Sequence, residues 1–197
     1  MSLHKNRYVD YYRKKILICG NGPCLGEDLT EVNMHEFDFV LRMNSWQPSE
    51  QVGDRCDIWC SSFWKDVRED SFDNSKIVWG IYWLGATDDP PRHREHVFCT
   101  ERAKKLLGRE PDYIIPRHVY TYICSTLGHY PSTGASAVAM ARAKEMYITL
   151  VGFNFFDQSK PFHYYDSKGV HYHKAGAEKA YVKDLVQKGK IICKSVL

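Results

Sequence analysis

Short apolar runs closed by glycine or asparagine form the first pattern along the chain. Lys15-Ile16-Leu17-Ile18-Cys19 runs into Gly20-Asn21-Gly22-Pro23. An unbroken apolar run of that length suits a parallel strand buried on both faces. Runs at 37–43 (ending before Asn44), 57–60, 77–82, 113–115, 147–151 and 190–193 predict further strands. Between them lie a short helix or turn at 25–32 and helices at 100–108, after Pro116 to 127, at 132–145 and at about 174–188. Thr100 is the expected N-cap of the first long helix and Gly108 its stop; Ser132-Thr133-Gly134 opens the alanine-rich one. Gly85 to Arg94 reads as a loop, with Asp88-Asp89 before Pro90-Pro91 a turn rather than an acidic metal pair. Strands alternating with helices predict an α/β fold: one Rossmann-like domain over 14–197, a mainly parallel twisted sheet flanked by helices, behind a lead-in at 1–13.

Composition narrows the function classes. The net charge of +3 comes from basic residues scattered among nearly as many acids, so no nucleic-acid footprint is expected. Thirteen tyrosines suit polar, half-buried pockets. The seven cysteines show no two-residue gap of a zinc knuckle, and reduced thiols are expected. No apolar run approaches the ~20 residues of a membrane span, and the N-terminus lacks a signal-peptide core. The expected location is cytoplasmic or membrane-peripheral.

Titratable chemistry concentrates between His163 and Glu178. This stretch holds His163, Tyr164, Tyr165, Asp166, His171, His173 and Glu178. His163, His171 and His173 with Asp166 could ligate zinc in a metal-dependent hydrolase, although their spacing suits neither a helical pair nor a known zinc hook. The same side chains can equally contact a substrate. Gly20, Asn21 and Gly22 follow the first strand, where glycines let a backbone approach a phosphate. The spacing is neither that of a dinucleotide fingerprint nor of a P-loop. Asn44 stands in the same place on the second strand. Ser132 or Thr133 caps a helix beside Gly134, whose start is an anion site by geometry.

Together these motifs resemble the sialyltransferase family. Gly20-Asn21-Gly22, Phe39 through Asn44 and Val52-Gly53-Asp54 are similar to its large sialyl motif. Pro131-Ser132-Thr133-Gly134 with Tyr147 through Phe153 is similar to the small motif, His163-Tyr164-Tyr165-Asp166 to the third, and His173 with Glu178 to the very small one. The first and second elements are also similar to bacterial sialyltransferases of the Campylobacter type. The resemblance implies a GT-A-variant-like fold and inverting transfer of sialic acid from CMP-sialic acid, or another CMP-sugar acid such as Kdo, to a glycan or glycolipid hydroxyl, without metal or cofactor. It implies His173 as general base, His163 with Tyr164 or Tyr165 at the leaving phosphate, and Glu178 as a residue that orients or holds the loop. Asn21 and Asn44 would bind the nucleotide, with Ser132, Thr133 and Gly134 at the sialic acid carboxylate or the ribose. One departure stands out. Animal members join the large and small motifs by a disulfide, whereas here Cys19 directly precedes the glycine and the helix after Gly134 has no cysteine. The alternatives are the metal-dependent hydrolase and a non-catalytic nucleotide- or carbohydrate-binding module.

Overall fold

The computed structural model describes residues 9–64, 76–81, 90–155, 163 and 175–195. Its elements run β1 (Lys15–Cys19), α1 (Leu25–Thr30), β2 (Phe39–Met43), β3 (Ile58–Ser61), β4 (Ile77–Gly80), α2 (Pro90–Leu107), β5 (Tyr113–Ile114), α3 (Arg117–Leu127), α4 (Thr133–Ala143), β6 (Tyr147–Val151), α5 (Ala175–Gln187) and β7 (Ile191–Cys193). The strands form one sheet in the order β5-β4-β3-β2-β1-β6-β7. All its ladders are parallel. The expected α/β architecture is therefore the one observed.

Strand alternation divides the apolar side chains between two faces. Ile16, Ile18, Leu41, Met43, Ile148 and Leu150 join the core cluster beneath α3, α4 and α5. Leu17, Cys19, Val40 and Val151 face α1, and Trp59 and Val78 face α2. Both faces are covered, which is why the strands read as continuous apolar runs. From Gly134 to Ala141 every residue of α4 is buried, since its alanines let the helix lie close to the central strands.

One local expectation changes. The helix read as 100–108 begins at Pro90, so Thr100 is an interior helical residue rather than an N-cap. Proline breaks a helix interior but suits the first turn, where its missing N–H is not needed. Gly108 does close α2, with φ +64° and its N–H on the Lys104 carbonyl at 2.9 Å. Within the lead-in, Tyr11 is buried at 8% exposure. Its ring packs against Phe39 and Trp79, and its hydroxyl accepts from the Trp79 indole at 3.2 Å.

Candidate active site

Because every strand is parallel, every strand exit lies on one rim of the sheet. Strand order reverses between β1 and β6, and that crevice is where open α/β sheets bind ligands. The β1 exit is zipped onto the β6 exit: Gly20 N–H donates to the Val151 carbonyl at 2.8 Å and Gly22 N–H to that of Gly152 at 2.9 Å. A side chain at Gly20 or Gly22 would place its Cβ only 2.3 or 2.7 Å from the Gly152 oxygen. These glycines are thus required by backbone meeting backbone across the switch point.

The two asparagines extend this rim across the sheet. Asn21 is 8% exposed, and its amide donates to the Met43 carbonyl at 3.1 Å, tying the β1 exit to the end of β2. Asn44 has a left-handed backbone, φ +48°, which asparagine tolerates better than most residues. Its Nδ2 donates to Thr133 Oγ1 at 2.9 Å and its Oδ1 accepts from Ser62 N–H at 3.2 Å. Asn44 therefore joins β2, the β3 exit and the start of α4. Next to it, the guanidinium of Arg42 is buried. It donates to the carbonyls of Val52 and Arg55 and lies 5.2 Å from the Trp46 ring, so it organises the loop that follows β2. Burial pushes the Cys19 thiol up to about 11, with nearby Arg42 pulling in the opposite direction.

The start of α4 is held by a carboxylate. Ser132 caps the helix by accepting from Ala135 N–H at 3.2 Å. Glu178, 4% exposed in the first turn of α5, accepts from the Ser132 N–H at 2.7 Å and from its hydroxyl at 2.6 Å. A negative charge here suits both helix N-termini. It also takes the hydroxyl proton of Ser132, and the amides of Thr133 and Gly134 follow at the helix start. Phe153 closes over Gly134, where an added Cβ would meet its ring at 2.8 Å.

Some supporting residues gave no sequence signal. Asp28 of α1 accepts from Gly152 N–H at 2.7 Å and from the Ser195 hydroxyl, and Ser195 in turn accepts from Phe153 N–H at 2.9 Å. These partners are more than forty residues apart in sequence, beyond the reach of any local pattern. Trp59 and Ser62 hold Asn44 in the same hidden way. His163 is half-buried. Tyr164, Tyr165, Asp166, His171 and His173 lie outside the described residues, as does the turn at Asp88-Asp89. Among the described residues no three His, Cys, Asp or Glu side chains gather as a metal site, and no helix is long and apolar enough to cross a membrane.

The arrangement has clear relatives. A crystal structure of a mammalian sialyltransferase superposes with a TM-score of 0.61 at 20% identity, over 92% of this chain and 68% of that one. The mammalian sialyltransferase in complex with Gal-beta-1-3GalNAc-ortho-nitrophenol gives 0.63 at 20% identity, over 92% and 69%. At this identity the likeness establishes the fold. No curated protein matches the chain. The model of glycosyltransferase family 29 matches residues 92–190, half of the chain, from α2 to the end of α5. The stretch includes the Ser132 cap, the β6 exit and the Glu178 clasp, and on that match the chain belongs to glycosyltransferase family 29, the sialyltransferases.

Proposed function

We propose that the protein transfers sialic acid from CMP-sialic acid to a sugar hydroxyl with inversion at the anomeric carbon, and without a metal ion. The observation that carries the reading is the hydrogen-bonded line Asn21–Met43 and Asn44–Thr133, which runs along the sheet rim to the start of α4 in a chain of the sialyltransferase family. The Asn44 amide spends one donor on Thr133 and one acceptor on Ser62, and a carboxamide carries a second of each for a nucleotide. The amides of Thr133 and Gly134, at a helix N-terminus, suit the sialic acid carboxylate or the ribose. A family of this kind takes a nucleotide-sugar donor and a glycan acceptor.

In the reaction the acceptor oxygen forms a bond to the anomeric carbon as the bond to the CMP phosphate oxygen breaks. His173 takes the acceptor proton; an imidazole pKa near 6.5 suits that task at neutral pH. His163, assisted by Tyr164 or Tyr165, donates to the departing phosphate, where negative charge develops. The donor has a single phosphate and CMP leaves as a stable anion, so a bridging divalent ion is not needed. Glu178 acts at one remove, through the Ser132 cap.

CMP release from CMP-sialic acid, measured against a panel of galactosides with and without chelator, tests this directly. Wild type releases CMP in an acceptor-dependent way that chelator leaves intact. His173→Ala lowers kcat by roughly 10²- to 10⁴-fold, the usual contribution of a general base, while CMP binding persists. Loss of activity on chelation, with stoichiometric zinc or iron in the purified protein, would replace this reading by the metal-dependent hydrolase.

A further inference from the structure

Trp59, in β3, has no solvent exposure, and its indole N–H donates to the Asn44 carbonyl at 2.9 Å. Its ring meets that of Phe63 edge-on, with centroids 5.6 Å apart and planes at 74°. Asn44 and Phe63 stand just past the ends of β2 and β3, and both have left-handed backbone, φ +48° and +54°. For a phenylalanine this is a genuine outlier. Such residues persist where the surroundings over-determine them, and they gather at functional sites. One buried side chain thus supports two strained strand exits side by side.

We infer that Trp59 is a positioning residue for the donor site. By fixing the Asn44 peptide in its left-handed turn, it aims the carboxamide that Thr133 and Ser62 hold from the other side. The inference rests on the reading that Asn44 contacts the CMP group. Trp59 itself touches no substrate; it acts through Asn44.

Calorimetric titration of CMP into the full chain tests it, in a cycle of wild type, Trp59→Phe, Asn44→Gly and the double variant. Glycine at 44 removes the carboxamide and adopts a positive φ without strain. Trp59→Phe is expected to weaken CMP binding by about 3- to 10-fold, the scale of one hydrogen bond. Asn44→Gly weakens it at least as much, and the double variant no further than Asn44→Gly alone. In turnover, Trp59→Phe raises the donor KM while the acceptor KM is unchanged and kcat stays within about twofold.

A Trp59→Phe loss that persists in full in the Asn44→Gly background overturns the inference, as does unchanged CMP affinity in Trp59→Phe. If Trp59→Phe fails to fold but the double variant folds, the inference stands, because relief of the strain at 44 then removes the need for the support. Failure of both to fold overturns it and leaves Trp59 a packing residue. A wild type that binds no CMP removes the donor reading and this inference together. CMP binding lost in Asn44→Gly yet untouched in Trp59→Phe removes this inference alone.

Discussion

A methyl group at Gly20 would stand 2.3 Å from the Gly152 oxygen and 2.8 Å from its carbonyl carbon. Both are backbone atoms one residue past the β1–β6 ladder, the oxygen held by the Gly22 N–H at 2.9 Å, so neither can swing aside. Gly20→Ala is therefore expected to destabilise the fold by about 3 kcal/mol or more, the upper end of overpacking costs. Gly26 offers the contrast. It lies inside α1, and an added Cβ would meet only the Gln51 side chain, at 3.4 Å. Gly26→Ala should stabilise by about 0.5–1 kcal/mol through lower chain entropy and better helix propensity. Urea midpoints of the two variants check the pair; equal effects of the same sign would contradict it. The glycines' importance was legible in the sequence, but their reason was not. A strand followed by Gly-Asn-Gly suggests room for a phosphate, whereas the Cβ positions show one strand exit pressed against another. That closeness depends on Gly152, more than a hundred residues away in sequence.

Elements were more legible than the contacts that fasten them. Each strand announced itself because a doubly covered sheet needs unbroken apolar runs. The first half of α2 did not, because Pro90-Pro91 reads as a break until the helix is seen to start there. The fastening of α4 to α5 is likewise hidden, since Ser132 and Glu178 lie 46 residues apart and only the family pattern singled out the glutamate. The structure makes a quantitative claim about that clasp. Glu178→Ala leaves the buried Ser132 N–H without its acceptor and should cost about 2–3 kcal/mol, as for a hydrogen bond to a charged group. Glu178→Gln keeps one acceptor oxygen and should cost less. Once Glu178 is alanine, Ser132→Ala loses only the cap to Ala135 N–H, about 1 kcal/mol. Denaturant titration of the double-mutant cycle measures the coupling. Purely additive effects would mean that the two helices are not joined through this carboxylate.

At the scale of the whole molecule, the buried thiols couple the fold to alkaline pH. Cys19 in β1, Cys56 before β3 and Cys60 within β3 are all buried. Desolvation pushes Cys19 up to about 11 and Cys56 up to about 12 from an ordinary value of 9.0, and it raises Cys60 further. A thiol whose folded pKa is raised stabilises the fold fully below its unfolded value. It loses that contribution as pH climbs toward the folded value, because the unfolded chain gives up its proton first. Between about pH 9 and pH 10 each such thiol should therefore remove roughly 1 kcal/mol, and the three together about 3 kcal/mol. Cys24 and Cys193, also pushed up to about 11, are only partly buried, and solvent reduces their share. Burial raises Tyr11, Tyr113 and Tyr181 as well, which adds the same sign above pH 10. Desolvation lowers Lys144, and that opposes them, since its contribution grows as pH rises toward 10.5. The balance is a loss large enough to register against a typical total stability of about 5–15 kcal/mol. Urea midpoints under reducing conditions should hold steady below about pH 8.5 and fall steeply toward pH 10. Cys60→Ala should make that fall about one third shallower, whatever it costs at neutral pH. A flat profile, or a slope that Cys60→Ala leaves unchanged, would show that the buried thiols are not what ties this sheet to its protonation state.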